Sequence, residues 1–318
     1  MATELAYSEQ FNDVINAERA YELYWAGVIN DRRAFACPQE GCPARYTCVN
    51  LETDALNLQV QPHYRVLHKG PAHAEGCPYA SEREAQQGSA AGEGQTHAAG
   101  APPPDRFLFE RPADYFTVRD AAPAAGGGSG STRGGGGDAA GLRSRRTDFY
   151  SVAALVSRWL KARRDGTDDT QTLTAGATSA LSYRDMFENF SPRRARLSGQ
   201  ARVYWGKAKI AQTPDGYRIR FMTRVDALGE QVLDPPQAPT AMVWNSALTA
   251  SKMGALHIKR LQRFAASGEA CVVFIFGTPT LDISRKDQRT YLNFKVTRVD
   301  HVDVQADDVY DRMKRPQG

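Results

Sequence analysis

Three cysteines and one histidine near the start of the chain have the spacing of metal ligands. Cys37 and Cys42 form a C-x4-C pair, and His73 and Cys77 form an H-x3-C pair further along the chain. Thiolates and an imidazole are the usual ligands of structural Zn²⁺, and two such pairs complete a tetrahedral shell. Pro and Gly residues beside the ligands allow the tight turns that such a shell requires. The spacing therefore predicts one structural Zn²⁺ held by these four residues.

Other residues could replace one of these ligands, and the metal itself is open to an alternative. Cys48 and His68 lie between the two pairs, although Cys48 stands in a strand pattern that favours a small buried side chain. Cys271 falls in an apolar run far along the chain and is predicted to be a core residue. The alternative to a metal is a set of ordinary reduced cysteines.

A second group of residues could bind a polyanion. From Tyr217 to Val225, apolar residues alternate with Arg218, Arg220 and Arg224, so a strand there carries three guanidinium groups on one face. Cations and aromatic rings that neighbouring strands or loops could add to this face are Trp205, Lys207, Lys209, Arg285, Lys286, Arg289, Tyr291 and Lys295. Single-stranded nucleic acid is bound by cations that follow phosphates and by rings that stack on bases. We predict Trp205 and Tyr291 as the stacking rings.

The distribution of charge places polyanion binding towards the C-terminus, but it does not identify the partner. The formal net charge is −4 over residues 1–80 and +6 over residues 201–318. Alternating arginines can also form a solvated face or protect a sheet edge from pairing. A protein partner with an acidic surface is therefore an alternative to nucleic acid.

The cysteine-containing segment Phe35–Tyr79 resembles the N-terminal zinc-finger-like segment of competence-protein CoiA-like sequences. The matching residues are Cys37-Pro38, Cys42, Pro62-His63-Tyr64, His73 and Cys77. The resemblance implies a zinc module, which in that family precedes a nuclease domain. This chain has no Asp followed by a Glu-x-Lys step on paired strands, and the nearest approach, Asp282 with Lys286, has a different spacing. A metal-dependent nuclease is therefore kept as an alternative function.

The elements around the cysteines and in the middle of the chain follow from hydrophobic periodicity. Apolar residues at helical spacing predict a helix over Asn12–Ile29, and strands follow at Arg45–Asn50 and near Leu56–Leu67. An amphipathic stripe predicts a second helix from Val152, capped by Asp148 or Ser151. A short helix is predicted over Tyr183–Phe190.

The C-terminal elements have the order strand, strand, strand, helix, strand, strand. Their predicted ranges are Arg202–Ile210, Tyr217–Val225, Ala241–Trp244, the helix Thr249–Ala266, Ala270–Phe276 and Tyr291–Val299. This order resembles the OB-fold, a five-stranded Greek-key barrel with a helix between strands three and four. The resemblance implies a ligand groove on strands two and three beside the loop between strands four and five.

Glycine-rich stretches lie between the N-terminal elements and the elements of the middle and C-terminal parts, since 13 of the 27 glycines fall within residues 81–142. Such stretches bury too little apolar surface to offset their ordering entropy, so they are predicted to be flexible linkers. Between them lies a short aromatic segment, Arg106–Val118, which we expect to dock on a neighbouring domain. We predict an α+β protein with five parts: a zinc-stabilised α/β module at 1–80, linkers at 81–146, a helical segment at 147–195, the OB-like barrel at 196–306 and a tail at 307–318.

Composition and missing motifs exclude several classes. No run of 18 apolar residues suggests a membrane span, the first residues lack a secretory signal, and five cysteines at uneven spacing do not suggest a disulfide scaffold. These observations predict a cytoplasmic protein. No phosphate-binding loop, G-x-S-x-G elbow or H-E-x-x-H motif is present. We therefore expect a non-catalytic protein that binds single-stranded DNA or RNA. The alternatives are a metal-dependent nuclease that uses the barrel to grip its substrate, and a regulatory or assembly protein that binds a protein partner.

Overall fold

The computed structural model describes most of the chain and divides it into two units. The described residues are 5–54, 60–67, 69–80, 104–118, 148–176, 179–190, 196–283 and 290–309. The first unit comprises Met1–Pro102 with Arg111–Thr147, and the second comprises Pro103–Glu110 with Asp148–Gly318. The predicted linkers, His68, and the loop with Arg285, Lys286 and Arg289 lie outside the described residues, as do residues 310–318 of the predicted tail.

The protein is a mixed α+β structure that consists mostly of sheet, in agreement with the predicted class. Strands outnumber helices in both units. Within the described ranges, no helix combines the length and the apolar composition needed to cross a membrane.

The described residues of the first unit form one antiparallel sheet and one helix. Its strands are β1 (Leu5–Ser8), β2 (Asp13–Asn16), β3 (Phe35–Ala36), β4 (Arg45–Val49) and β5 (His63–Val66), in the spatial order β2-β1-β3-β4-β5. The predicted strand Arg45–Asn50 is confirmed as β4. The helix α1 covers only Ala17–Trp25, because the residues before it form the hairpin strand β2. Asn16 ends that strand and caps α1 by accepting a hydrogen bond from the backbone N–H of Arg19 at 2.8 Å.

The aromatic segment that we expected to dock does so in two pieces. Its second piece packs on α1 in the first unit, where the Tyr115 hydroxyl donates a hydrogen bond to the Glu22 carboxylate at 2.8 Å. Arg111 forms a buried ion pair with the same carboxylate at 3.0 Å. Its first piece, β6 (Asp105–Phe107), is a strand of the second unit.

A small sheet and an amphipathic helix open the second unit. The sheet has the order β7-β6-β8-β9, with β7 at Asp148–Phe149, β8 at Thr172–Ala175 and β9 at Leu181–Ser182. The helix α2 covers Val152–Arg164 and confirms the predicted stripe, because all five residues of that stripe are buried: Val152, Leu155, Val156, Trp159 and Leu160. Ser151 caps it by accepting a hydrogen bond from the backbone N–H of Ala154 at 3.3 Å. The predicted helix Tyr183–Phe190 is shorter than expected, since α3 (Tyr183–Met186) leads directly into a strand.

The second unit is built around an eight-stranded sheet. Its strands are β10 (Phe187–Asn189), β12 (Arg202–Thr213), β13 (Gly216–Phe221), β16 (Thr240–Trp244), β17 (Cys271–Gly277), β18 (Pro279–Ile283), β19 (Thr290–Lys295) and β20 (Val302–Gln305). The spatial order is β18-β19-β16-β13-β12-β17-β20, and β10 pairs with β12. A closed five-stranded barrel is not confirmed, because the hydrogen-bonded order begins and ends at open edges.

The described part of this unit also contains a separate three-stranded sheet and two further α-helices. The strands β11 (Arg196–Leu197), β14 (Val225–Leu228) and β15 (Gln231–Gln237) form a separate small sheet. Because β13 ends at Phe221, Arg224 lies beyond the strand on which alternation had placed it. The helices α4 (Asn245–Ala250) and α5 (Gly254–Ser267) follow β16. A buried ion pair between Arg260 of α5 and Asp303, at 3.3 Å, joins this helix to β20.

Candidate metal centre and candidate binding groove

The four predicted ligands lie together in the first unit. The ligand atoms of Cys37, Cys42, His73 and Cys77 are all within 4.8 Å of one another. The Sγ atoms of Cys37 and Cys77 are 3.6 Å apart, and His73 Nδ1 lies 3.4 Å from the Sγ atoms of both Cys42 and Cys77. Zn–S bonds of about 2.3 Å in a tetrahedral shell separate neighbouring sulfurs by about 3.8 Å. The donor set therefore fits around a single metal ion.

The two halves of this cluster are built from the same local turn. Glu-Gly-Cys-Pro occurs at residues 40–43 and again at residues 75–78, a short repeat that the sequence analysis missed. Gly41 and Gly76 have φ of +73° and +71°, in the left-handed region that glycine adopts most readily. The backbone N–H of the cysteine that follows each glycine bonds to a carbonyl three residues earlier, of Gln39 or Ala74. Each turn thus delivers one thiol to the cluster.

The surroundings of the ligands favour metal binding by Nδ1 of the histidine. His73 Nε2 lies 3.4 Å from the hydroxyl of Tyr46, which is fully buried on β4. A hydrogen bond at one ring nitrogen orients the imidazole and leaves the other nitrogen to the ion. Because four protein ligands close the shell, the centre suits a structural role rather than a catalytic one.

The thiols of the cluster differ in acidity because their surroundings differ. Burial, with the neighbouring thiols, raises the pKa of Cys37 to about 12. Burial also opposes ionisation of Cys42, but backbone N–H groups of Ala44 and Ala74 and the adjacent thiols lower its pKa below the ordinary value. A bound divalent ion would compensate the negative charges of thiolate ligands here.

The remaining cysteines are not part of the cluster. Cys48 is fully buried on β4, where burial raises the pKa of its thiol well above the ordinary value. Cys271 is fully buried in β17, and burial raises its pKa to about 12. Both match the prediction of core residues. His63 is likewise outside the cluster, since its Nδ1 lies 2.9 Å from the carbonyl of Gln61.

In the second unit, strand pairing aligns several of the predicted cations on one side of the sheet. Lys209 is directly opposite Arg220 in the β12–β13 pair. We call Lys207, Lys209, Arg218, Arg220 and Lys295 the basic face, and all five are exposed. Within the part of the chain that the structure describes, Lys209, Arg218 and Arg220 have no ion-pair partner. Lys207 differs, because its Nζ forms an ion pair with Asp307 at 2.9 Å.

Trp205 was predicted to stack on a base, and its position in the structure contradicts that prediction. It lies on the same side of β12 as Lys207 and Lys209, but only 7% of it is exposed. Its ring stacks on Phe274 at 5.7 Å and contacts Trp159 of α2 at 5.4 Å. The helix α2 covers this end of the strand, so Trp205 is a core residue and cannot stack on a base.

A groove lies beside the basic face and contains a tryptophan that the sequence analysis did not select. The groove has a volume of about 740 Å³, and its lining includes Arg218, Met242, Trp244, Asp282, Asn293 and Lys295. Trp244 ends β16 and is 48% exposed. Alternation along the sequence could have identified it. Ala241 and Val243 lie on the buried side of that short strand, so Trp244 lies on the opposite side.

The second predicted ring, Tyr291, is not part of the groove lining but pairs with a residue that is. Tyr291, at the start of β19, is 37% exposed and directly opposite Asp282 of β18. Lys295 on the same strand is aligned with Met242 of β16, and its Nζ lies 4.0 Å from the Asp282 carboxylate. The groove therefore combines one exposed ring, Trp244, with cations and one carboxylate on neighbouring strands, and Tyr291 lies beside that carboxylate.

Comparisons with known proteins give no family for this chain. No protein-family model, no curated protein and no solved structure matches it.

Proposed function

We propose that this protein binds single-stranded nucleic acid in the groove of the second unit, and that Zn²⁺ stabilises the first unit. The observation that carries the proposal is the position of exposed Trp244 next to Arg218 and Lys295 in one groove. Rings that stack on bases, next to cations that neutralise phosphates, are the two components of sequence-tolerant single-strand binding.

We further propose that the strands of the second unit have an OB-like arrangement, which would suit this function. Only Thr278 separates β17 from β18, so residues 271–283 can be treated as one bent strand. Its beginning pairs with β12 and its end pairs with β19. The order β12-β13-β16-β19 is thus flanked by this segment on both sides, and the helices α4 and α5 lie between the third and fourth strands, although the sheet as a whole has open edges. The strand count and helix position resemble those of an OB-fold. OB-folds often bind oligonucleotides on the face of their second and third strands, which here would be β13 and β16.

The unequal covering of the sheet also supports the groove as the binding surface. The helix α2 packs over Trp205 and Phe274, so the side of the sheet near β17 is closed. The same side near β13, β16 and β19 remains open at Arg218, Trp244 and Lys295. A ligand on this side therefore meets both the basic face and the groove.

Zinc is proposed because of the ligand chemistry. Three thiols and one imidazole in a closed shell are typical of structural Zn²⁺ sites. The resemblance of the cysteine segment to a zinc module found before a nuclease domain agrees with a protein that acts on nucleic acid. When bound, the ion would cross-link the turns at residues 37–42 and 73–77, and the chain's own role is to hold the four donors in place.

The test is the affinity of the full chain for oligonucleotides of about 15 nucleotides, measured by fluorescence anisotropy at several salt concentrations. We expect single strands to bind more tightly than the matching duplex, because paired bases cannot stack on Trp244. Equal affinity for both forms would contradict the proposal and favour an acidic protein partner. Cleavage of the oligonucleotide in the presence of Mg²⁺ or Mn²⁺ would favour the nuclease.

Trp244→Ala is expected to weaken single-strand binding by about tenfold, within the range of about 1–3 kcal/mol measured per stacked base. The slope of affinity against salt should stay the same, because a stacking contact releases no counterions. Trp244→Phe keeps an aromatic face and should retain most of the affinity. A Trp244→Ala protein with unchanged affinity would exclude this ring from the site.

A further inference from the structure

One carboxylate in the groove is held in a fixed orientation by its neighbours. The amide nitrogen of Asn293 donates a hydrogen bond to Asp282 Oδ2 at 3.0 Å. The hydroxyl of Thr240 donates in turn to Asn293 Oδ1. This second bond determines which end of the Asn293 amide faces Asp282. Three adjacent strands, β16, β19 and β18, therefore contribute to placing a single acceptor group.

The network leaves most of the acceptor capacity of Asp282 available. A carboxylate has about four lone-pair positions. Among the described residues, Oδ2 has besides the Asn293 amide only a long contact of 3.5 Å with the Thr280 hydroxyl, and Oδ1 lies 4.0 Å from Lys295 Nζ, beyond hydrogen-bond length. The side chain of Asp282 is 43% exposed. Both oxygens can therefore accept hydrogen bonds from a ligand in the groove.

A ring stands beside this carboxylate. Tyr291 is directly opposite Asp282 in the antiparallel pair β18–β19. Side chains at such positions lie on the same side of the sheet, with Cβ atoms about 5 Å apart. A base that stacks on Tyr291 would therefore have one of its edges within reach of Asp282.

We propose that Asp282 gives the groove a preference for guanine, which rests on the proposed function of single-strand binding. Guanine has two adjacent donors on its Watson–Crick edge, N1–H and the N2 amino group, and these match the two oxygens of a carboxylate. Adenine and cytosine have one amino group beside an acceptor nitrogen, and thymine and uracil have one N–H between two carbonyls. Only guanine can donate two parallel hydrogen bonds to Asp282, and such paired contacts carry base specificity.

The test compares three probes on the full chain. They are oligothymidylate of about 15 nucleotides, the same strand with one central guanine, and the same strand with hypoxanthine, which lacks the N2 amino group. We expect the guanine strand to bind at least about fivefold more tightly than oligothymidylate, the lower end for a good bidentate contact. Hypoxanthine should lose most of that gain. The Asp282→Asn variant should bind the three strands with affinities that differ from one another by no more than about twofold, because an amide has only one acceptor oxygen.

The matched control is Asp226→Asn, which removes one exposed carboxylate from β14 in the same unit, outside the groove lining. It should keep the guanine preference. If Asp282→Asn instead tightens binding of all three strands equally, Asp282 acts only by repelling phosphate and the inference is wrong, while single-strand binding stands. A wild-type protein with equal affinity for the three strands would overturn the inference in the same way. Failure to bind any strand would overturn the proposed function as well.

Discussion

Replacing Cys77 with serine is expected to remove the metal from the first unit and to unfold that unit. The variant loses one of four donors that lie within 4.8 Å of one another. Structural Zn²⁺ contributes about 10–16 kcal/mol of apparent binding free energy at neutral pH. That is comparable to the whole stability of a typical domain, about 5–15 kcal/mol. Elemental analysis should therefore find about one zinc per wild-type chain and almost none in the variant.

The state of the fold is measured separately from the metal content. Hydrogen exchange resolved by mass spectrometry should show lost protection in β1–β5 and α1, while the second unit stays protected. Cys48→Ala is the matched control, because Cys48 is fully buried in the same sheet but lies outside the cluster. It should keep its zinc. A wild-type protein that is fully folded and contains no metal would refute the zinc assignment.

Removing three cations from the basic face is expected to reduce single-strand affinity by a few hundredfold at about 50 mM salt. The variant is Lys209→Gln, Arg218→Gln and Arg220→Gln together, and none of these side chains has an ion-pair partner within the described ranges. Each phosphate contact contributes a slope of about 0.7 in log affinity against log salt for single strands. Three lost contacts should therefore lower the slope by about 2.1, and the difference from wild type should almost vanish near 1 M salt.

A control with the same change in charge separates a specific face from general cationic attraction. Lys252, Lys259 and Arg263 are exposed on or beside α5, outside the groove lining, so their triple replacement by glutamine removes equal charge elsewhere on the unit. We expect this control to change affinity by much less than the first variant. Equal losses in the two variants would show that binding depends on net charge alone. The groove would then not be the binding site.

The sequence alone was sufficient to predict features that depend on interactions between residues close together in the chain. The two turns that hold the candidate metal ligands depend on residues within five or six positions of one another, so the spacing of Cys37, Cys42, His73 and Cys77 was enough to predict the cluster. The helix α2 was equally predictable, because its apolar stripe and the Ser151 cap are set within a few turns of chain. The same holds for β13 up to Phe221, where alternation alone separates buried from exposed side chains.

The choice of stacking ring depended on the tertiary structure. Alternation tells which side of a strand a residue occupies, but not whether another element covers that side. Trp205 and Lys209 share one side of β12, yet α2 covers the first and leaves the second exposed. Trp244 stands at the uncovered end of β16, and strand parity alone places it on the outward side without ranking it above Trp205. The contacts between Asp282, Asn293 and Thr240 likewise depend on the register of strands distant in sequence, which only the folded sheet determines.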